Sequence, residues 1–411
     1  MKVGITCYPT YGGSGAVATE LGLELARRGH EVHFVSYAQP FRLTSFRPGV
    51  FFHEVEMMPY PLFEYPPYSL ALAVALHRVT LDHALDLLHV HYAVPHATSA
   101  WVAREMLRAD GGDVKIITTL HGTDITLVGQ DPSFEAITRF SIERSDGLTA
   151  VSEHLKQRTL DAFGCDGRRI QVVPNFIDPS RYDRENTPCH RGDLVRAGER
   201  LVMHISNFRK VKRVDDVIRV FARIQARVPS RLVLIGDGPE RATAAQVAEQ
   251  EGVTDRTMFL GKLESVAELL ACADLFLLPS EEESFGLVAL EAQASGVPVV
   301  GSAGSGLDEV LEDGVTGWLH PVGAVDAMAA SGIRVLEDGD LWIRTSNAAR
   351  ERAEGRFSAD RIVPLYEAFY EEVMAGGGGR TRGADAGAPG GNGTLEPGPE
   401  AGAEPGGGGT G

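Results

Sequence analysis

Residues 3–27 read VGITCYPTYGGSGAVATELGLELAR and decide the fold, because a β-branched run leads through a glycine-rich turn into an amphipathic segment. The run Val3-Gly4-Ile5-Thr6-Cys7 predicts a strand, and residues 16–27 predict a helix that begins directly after Gly12-Gly13-Ser14-Gly15. Glycines at such a turn let the backbone approach a phosphate or a sugar, and the helix start presents free N–H groups. A tight turn without a ligand has the same composition. No Gly-Lys-Ser/Thr follows, which excludes a P-loop nucleotidase.

The alternation of short apolar runs and helix-length segments continues to residue 375, which is typical of α/β proteins with parallel sheets. Strands are expected at 3–7, 31–36, 87–90, 115–120, 147–150 and 171–173, and again at 201–205, 231–235, 258–260, 275–278 and 297–301. The polar stretch up to residue 199 predicts a linker. We therefore expect one domain at 1–178, a second at 179–357, a helix at 358–375 that returns to the first, and a disordered Gly/Ala/Pro-rich tail at 376–411.

Composition excludes several classes of protein. Of the 411 residues 43% are hydrophobic and 23% charged, and no apolar run reaches the roughly 18 residues of a membrane helix. The amino terminus lacks a signal peptide, which predicts a cytoplasmic protein. The net charge of -17 argues against nucleic-acid binding, so an anionic ligand needs a local basic cluster. Four cysteines without a CxxC pair argue against a disulfide framework and a zinc knuckle. A homo-oligomer is left open.

A local basic cluster does occur, as Ser206-Asn207-Phe208-Arg209-Lys210-Val211-Lys212-Arg213, between an expected strand and an expected helix. The carboxyl ends of parallel strands are where open α/β sheets bind ligands. Arginine grips phosphate through two hydrogen bonds and lysine adds a point charge, so the cluster favours a diphosphate clamp. A solvated run of charges is the alternative.

A second charged segment, residues 281–291, reads EEESFGLVALE. Glu283 and Glu291 are eight positions apart, about 12 Å along a helix, whereas the carboxyl pair of a glycoside hydrolase is separated by about 5–9.5 Å. We therefore expect the two glutamates to bind two parts of one long ligand; acids that only favour a helix N-terminus are the alternative. Asp338-Gly339-Asp340 predicts a turn with a helix cap, and no metal site is expected.

Two expected strand ends in the first half carry imidazoles and hydroxyls, namely His89-Val90-His91-Tyr92 and Thr118-Thr119-Leu120-His121-Gly122-Thr123-Asp124. A single histidine at such a position is more often structural, and we interpret His89 and His96 in that way. His121 is the preferred functional residue, because Gly122 beside it predicts a turn that is open to a ligand.

Four segments, in this order, resemble the retaining glycosyltransferases of family 4: residues 12–15, the basic cluster, Gly236-Asp237-Gly238-Pro239-Glu240, and Glu283 to Glu291. The resemblance spans residues 1–375. It implies the GT-B fold, an α/β arrangement of two doubly wound Rossmann-like domains facing a central cleft, with the C-terminal helix packing back on the first. The family's usual Gly-Arg is Ser206-Asn207 here, so both Arg209 and Lys210 are candidates for the role of the family arginine.

A narrower resemblance, to family members of the bacillithiol pathway, comes from residues 4–9 (GITCYP), 40–43 (PFRL), 65–68 (YPPY), 120–125 (LHGTDI) and 204–213 (HISNFRKVKR). It implies the first step of that pathway, in which N-acetylglucosamine passes from UDP-N-acetylglucosamine to the hydroxyl of L-malate with retention. Neither a cofactor nor a metal is then expected.

The resemblance also implies roles for individual residues. Glu291 would hold the ribose hydroxyls and Glu283 those of the sugar, and His121 would contact the sugar near its reacting face, so Glu283 and His121 are the catalytic candidates. The other donor-binding candidates are Gly13, Arg209 and Lys212 at the diphosphate, Gly261 and Lys262 at the uracil, and Ser284, Phe285, Gly286 and Leu287. The acceptor-binding candidates are Ser14, Tyr92, Thr119, Arg139, Asn207 and Lys210.

Three alternatives remain at this point. A related transferase could use another small acidic or polyol acceptor with the same donor site. A non-hydrolysing sugar-nucleotide epimerase shares the fold but not the paired glutamates with this basic cluster. A non-catalytic protein that binds a sugar nucleotide is the option without enzymatic activity.

Overall fold

The first half of the chain forms a seven-stranded sheet, in a computed structural model that describes residues 1–10, 12–58, 62, 64–167 and 170–376. The strands are β1 (Lys2–Thr6), β2 (Glu31–Ser36), β3 (Val50–Glu54), β4 (Leu87–His91), β5 (Lys115–Leu120), β6 (Gly147–Ala150) and β7 (Ile170–Val172). Their order is β3-β2-β1-β4-β5-β6-β7, and neighbouring strands run parallel.

Helices connect these strands, as a parallel sheet requires. They are α1 (Gly13–Arg27), α2 (Tyr68–His83), α3 (Thr98–Ala109), α4 (Thr123–Thr126), α5 (Glu135–Arg144) and α6 (Glu153–Phe163). Ser152 caps α6, because its hydroxyl accepts a hydrogen bond from the backbone N–H of Leu155.

The second half repeats the pattern in a six-stranded parallel sheet of order β10-β9-β8-β11-β12-β13. Its strands are β8 (Arg200–Ile205), β9 (Ser230–Ile235), β10 (Thr257–Gly261), β11 (Leu275–Leu278), β12 (Val299–Ser302) and β13 (Gly317–His320). The helices of this half are α7 (Arg191–Leu194), α8 (Val214–Gln225), α9 (Arg241–Gln250), α10 (Ala267–Leu270), α11 (Leu287–Ala294), α12 (Leu307–Val310), α13 (Val325–Glu337) and α14 (Gly339–Phe357).

The last helix, α15 (Ala359–Met374), shares a core with the first sheet. Ile362, Val363, Tyr366, Phe369 and Tyr370 are buried in one cluster with residues of β1, β2 and α1. The helix therefore packs on the first half of the molecule, from which the whole second sheet separates it along the chain, as the family resemblance implies. Leu365 lies on its exposed side.

Each sheet reverses its strand order at one point, between β1 and β4 in the first sheet and between β8 and β11 in the second. Open α/β sheets bind ligands beyond the carboxyl ends of their strands at this reversal. The glycine-rich turn follows β1, Tyr92 follows β4, the basic cluster follows β8, and the segment with Glu283 follows β11. The fold thus places all four motifs at the two positions where a ligand is expected.

Several features differ from the sequence-based expectations. Strands β3 and β13 and helices α2 and α9 were not expected. The argument against disulfides was wrong for one pair, since Cys189 and Cys272 are joined with their Cα atoms 5.3 Å apart across 83 residues of sequence. Spacing along the chain does not report on such a distance.

Two further expectations concern the ends of the chain. Asp338 does cap α14, as expected, through a hydrogen bond from Leu341 N to its side chain. The predicted tail lies outside the described residues apart from Gly376, and the domain limits at 178 and 357 stay a prediction. Within the described part of the chain, no helix has the length and apolar character needed to cross a membrane.

Candidate active site

The ends of the two sheets face each other across a cleft of about 680 Å³. Its wall from the first half includes Gly13, Ser14, Tyr92 and His121. Its wall from the second half includes, among the expected site residues, Asn207, Arg209, Lys212, Lys262, Glu283, Ser284, Phe285, Gly286, Leu287 and Glu291. The walls come close at Gly13, where an added Cβ would lie 3.9 Å from Leu287 Cδ2.

Glu283 lies before α11 rather than in it, and it is 8% exposed. Lys212 Nζ donates a hydrogen bond of 2.6 Å to Glu283 Oε1, and the Ser280 hydroxyl donates another of 2.7 Å to the same oxygen. The ion pair between Lys212 and Glu283 joins the basic cluster to the acidic segment. A carboxylate held so firmly presents its second oxygen in a defined direction, which suits recognition of a hydroxyl group.

Glu291 lies on α11 and is 3% exposed. Its Oε1 accepts hydrogen bonds from Arg42 Nη2 (3.1 Å) and from the Tyr182 hydroxyl (2.7 Å), both from outside the second sheet. Burial opposes the charged form of Arg42, but Glu291, Tyr182 and Glu20 outweigh that effect and raise its pKa. Glu291 therefore binds an arginine from the first half of the chain at the place where the donor's ribose is expected.

The basic cluster divides into cations that face the cleft and cations that do not. Arg209 and Lys212 line the cleft, whereas Lys210 is exposed elsewhere and Arg213 pairs with Asp216 at 2.6 Å. Between the two candidates for the family arginine's role, the structure favours Arg209. Lys210, a candidate for acceptor binding, does not line the cleft formed by the described residues.

On the first wall, Tyr92 connects the glycine-rich turn to the loop after β5. Its hydroxyl is hydrogen-bonded by the side chains of Ser14 and Thr123, and burial raises its pKa. The backbone of Tyr92 has φ 85°, a left-handed conformation that is unusual for a bulky residue. The result is a fixed group of three hydroxyls on the cleft wall, and the charge of Arg209 acts on the Tyr92 hydroxyl.

His121 is half-buried on that wall and contacts a group of buried histidines behind it. Its Nε2 lies 2.8 Å from His91 Nδ1, and burial lowers the pKa of His121 to about 3. The ring is therefore neutral at physiological pH. It can exchange a hydrogen bond with a ligand but supplies no positive charge, which suits contact with a sugar hydroxyl better than contact with a phosphate.

Asp124 holds the loop that carries His121, a role that was not predicted from the sequence. Its carboxylate accepts hydrogen bonds from the backbone N–H groups of Ala93 (3.1 Å), Gly122 (2.9 Å) and His121 (3.2 Å). Burial raises its pKa to about 6 despite these bonds. Asp124 thus ties the end of β5 to the segment after β4.

Gly122 packs against the opposite wall, and the turn is not open to a ligand at this residue. It has φ 116°, and an added Cβ would lie 1.7 Å from Ser284 Oγ and 2.7 Å from Ser284 Cβ. The Ser152 hydroxyl also donates to the Ser284 carbonyl, at 2.5 Å. Residues 122, 152 and 284 therefore join the two walls, and the expected role of Gly122 is corrected accordingly.

Two acceptor-binding candidates do not line the cleft formed by the described residues. Arg139 lies on α5, where Nη1 donates to the Phe163 carbonyl (2.6 Å) and Nη2 pairs with Glu135 (3.2 Å). Thr119 is fully buried in the sheet between His89 and Thr149, at 2.7 and 2.6 Å. The structure brings neither side chain into the cleft lining, since alternation along a strand and the phase of a helix do not tell which face meets the cleft.

Gly261 is a donor-binding candidate that does not line the cleft. It ends β10 with φ 72°, and its carbonyl accepts a hydrogen bond from Gly236 N at 2.7 Å. The cleft begins one residue later, at Lys262. Gly261 therefore shapes the turn that presents Lys262.

Some residues that line the cleft were not predicted from the sequence. They include Tyr8, Thr10, Arg42, Thr123, Asp124, Asn175 and Asp237. Arg42 and Asp124 stood inside segments quoted for the narrower resemblance, so a signal was present without a role attached to it. The pairing of Arg42 with Glu291 spans 249 positions and leaves no local pattern.

Comparison with known proteins agrees with this architecture. Residues 11–181 match the family described as Glycosyltransferase Family 4, and residues 190–352 match Glycosyl transferases group 1. The chain is 48% identical over 375 residues to the N-acetyl-alpha-D-glucosaminyl L-malate synthase of Bacillus anthracis, which covers 91% of this chain and 97% of the relative. A D-inositol 3-phosphate glycosyltransferase of Geodermatophilus obscurus is 30% identical, with 89% and 86% covered.

Solved structures confirm the fold. HepE from Anabaena, in complex with UDP and glucose, matches with a TM-score of 0.74 at 20% identity and covers 90% of this chain and 99% of its own. A sucrose-phosphate synthase from Thermosynechococcus elongatus matches with the same TM-score at 21% identity, with 91% and 99% covered. The family resemblance is thereby confirmed: the chain belongs to glycosyltransferase family 4 and is a glycosyltransferase with the GT-B fold.

Proposed function

We propose that this enzyme transfers N-acetylglucosamine from UDP-N-acetylglucosamine to the hydroxyl of L-malate with retention of configuration. The observation that carries the proposal is the 48% identity to the Bacillus anthracis malate synthase over 97% of that protein's length. The cleft chemistry described above supports it. We also propose action in the cytoplasm, and self-association stays a prediction.

The donor half of the proposal is supported by the charge distribution of the second wall. Arg209 and Lys212 face the cleft at the carboxyl end of β8, where they would neutralise a diphosphate. Glu283 and Glu291 lie farther along the same wall, and each has an oxygen that no hydrogen bond named above uses. They would accept hydrogen bonds from the hydroxyls of the sugar and of the ribose.

The acceptor half is supported by the hydroxyl group of the first wall. L-malate is a small dianion with one reacting hydroxyl, so its site needs donors and at least one cation close to the donor's anomeric carbon. Ser14, Tyr92 and Thr123 supply the donors. With Arg139 outside the cleft, Arg209 is the cation whose charge reaches this group, and Asn207 lines the cleft beside it.

The proposed chemistry needs no protein nucleophile. The malate oxygen forms a bond to the anomeric carbon on the face from which the diphosphate leaves, and the bond between that carbon and the diphosphate oxygen breaks. The malate hydroxyl proton passes to the departing diphosphate. Arg209, Lys212 and the N–H groups at the start of α1 stabilise the negative charge that develops on the leaving group.

The test is turnover of UDP-N-acetylglucosamine by the full chain with L-malate, D-malate, inositol 3-phosphate or no acceptor. UDP release and the mass of the product are measured together. We expect an N-acetylglucosaminyl-malate product with L-malate alone. Use of inositol 3-phosphate but not malate would contradict the acceptor and keep the transferase, and binding of the donor without transfer to any acceptor would contradict the proposed reaction.

A second test concerns metal. Because the proposal assigns neutralisation of the diphosphate to protein cations, turnover in excess EDTA should match turnover without it. Activity that is lost in EDTA and returns with magnesium or manganese would contradict this assignment.

A further inference from the structure

Three histidines lie close together at the outer edge of the first sheet, and the proposed function does not involve them. His33 lies on β2, His53 on the edge strand β3, and His83 is the last residue of α2. One ligand atom from each lies within 4.8 Å of the others, and His33 Nδ1 is 2.9 Å from His53 Nε2. His33 is fully buried and the other two are half-buried, so the group has one side toward solvent.

Glu31 gives this group the arrangement of a metal site. Its Oε1 lies 2.9 Å from His33 Nε2 and accepts that nitrogen's proton in a hydrogen bond. The proton therefore resides on Nε2, and the lone pair of Nδ1 points toward His53. Histidines that bind metals almost always donate their other N–H to a carboxylate or carbonyl in this way.

Charged side chains also surround this group. Lys2 pairs with Glu31 at 3.3 Å and donates a hydrogen bond to the His83 carbonyl at 3.1 Å. Lys2 therefore connects Glu31 to the end of α2, where His83 lies.

We propose that His33, His53 and His83 bind one divalent transition-metal ion, best matched by Zn²⁺, with Glu31 orienting His33. Imidazole nitrogens favour zinc and its neighbours over magnesium or calcium, and three histidines leave a fourth position for water. Zinc binds nitrogen at about 2.0–2.1 Å, so small rotations of the half-buried rings would bring all three onto one ion. The ion would fasten the edge strand β3 and the end of α2 to β2.

The site is structural, since the three histidines do not belong to the cleft lining formed by the described residues. Its test therefore measures binding and unfolding. Tag-free full chain is stripped with chelator, desalted and titrated with Co²⁺. We expect one Co²⁺ per chain with visible d–d absorption, displacement of that absorption by Zn²⁺, and a higher thermal unfolding midpoint with Zn²⁺.

Variants assign the ion to these residues. His53→Ala and His83→Ala change half-buried positions, and each should lower Co²⁺ affinity at least tenfold. Glu31→Gln should lower it about tenfold, which is typical of outer-shell partners. The control is His77→Ala, which lies on α2 and contacts Asp110 instead (2.7 Å), and it should keep wild-type affinity.

Several outcomes would overturn the proposal: no stoichiometric Co²⁺ binding, unchanged affinity in folded His53→Ala and His83→Ala, or an equal loss in His77→Ala. A thiolate band in the near ultraviolet would assign the ion to cysteine and would also overturn it. Circular dichroism and UDP binding verify that each variant is folded. These outcomes are independent of the acceptor, so the proposed reaction could fail while the metal site holds, or the reverse.

Discussion

The two walls of the cleft hold their functional residues in place by different forces. On the second wall, Glu283 and Glu291 are fixed by ion pairs with Lys212 and Arg42. On the first wall, His121 is a neutral ring within a buried hydrogen-bonded group. The carboxylates of Glu283 and Glu291 can exchange these ion pairs for hydrogen bonds to a ligand. The His121 ring on the first wall has no charge to exchange, and its value lies in its fixed position.

This difference predicts different kinetic signatures. Substitutions on the charged wall remove contacts that exist both in the bound donor and in the transition state, so they should appear as weaker UDP binding. Substitutions that disturb the neutral wall, or its contact with the other wall, shift groups that must be aligned at the moment of reaction. These should appear mainly as lower kcat.

The largest effect is expected where the walls touch. Gly122→Ala places a Cβ 2.7 Å from Ser284 Cβ, so one wall must move. A displacement of about 1 Å can lower the rate about 100-fold, and we expect a loss of that order in kcat/KM. Steady-state kinetics and the thermal unfolding midpoint measure the two consequences.

Gly111→Ala is the matched control for this change. Gly111 also has a positive φ, of 84°, but an added Cβ there meets nothing within 4 Å. It reports the backbone strain alone. The double variant Gly122→Ala with Ser284→Gly should regain thermal stability, because it removes the clashing atoms. Equal kinetic losses at positions 111 and 122 would show that contact between the walls is unimportant.

The next largest effect concerns Glu291 on the charged wall. Glu291→Gln keeps the shape but removes the charge that Arg42 and the proposed ribose both bind. Loss of a charge-assisted hydrogen bond costs about 1.5–3 kcal/mol, so UDP affinity measured by calorimetry should fall at least tenfold. Glu281→Gln, an exposed position outside the cleft lining, is the control. Tighter UDP binding by Glu291→Gln would mean instead that the ion pair between Arg42 and Glu291 competes with UDP for the site.

A smaller, pH-dependent effect is expected behind the neutral wall. Burial lowers the pKa of His89 to about 3, where its ring contacts Thr119 and Tyr370. In the unfolded chain a histidine titrates near 6.5. Between these values the unfolded chain binds a proton that the folded chain does not, so stability is complete above about pH 6.5 and is lost as the pH falls toward 3.

His89→Gln should remove this contribution, about 1.4 kcal/mol per pH unit in that window. Urea unfolding of wild type and variant near pH 7 and pH 5.5 measures the difference in slope. An unchanged slope in His89→Gln would mean that His89 is protonated in the folded protein.

The same contrast explains how far the sequence could predict this site. The charged wall is built from contiguous segments, so spacing and charge indicated the basic cluster and the pair Glu283 and Glu291. The family resemblance then pointed to Arg209 and Lys212 within the cluster. The first wall is assembled from the ends of β1, β4 and β5. Its decisive contacts, such as Gly122 against Ser284, depend on how the two halves meet, which local periodicity does not contain.

The strand β3 and the orientation of α5 could not be predicted, for local reasons. β3 is a half-exposed edge strand, so Val50–Glu54 lacks the continuous apolar run of a central parallel strand. Residues 134–142 have the pattern of an amphipathic helix, and α5 forms there, but the pattern does not show which face of the helix meets the cleft. Arg139 was therefore placed in the site, and it lies outside it.

The smallest expected effect tests that correction. Arg139 is partly exposed. Its guanidinium donates a hydrogen bond to the Phe163 carbonyl and pairs with Glu135, both in the first half of the chain. Surface substitutions of this kind change free energies by about 0.5 kcal/mol at most, so Arg139→Ala should leave the malate KM within about twofold of wild type. Arg42→Ala is the informative partner, because Arg42 is a cleft arginine whose removal leaves Glu291 with Tyr182 alone, and it should weaken UDP binding. If Arg139→Ala instead raised the malate KM tenfold with donor binding intact, α5 would have to turn toward the cleft during turnover, and the division of the site into two walls would need to include it.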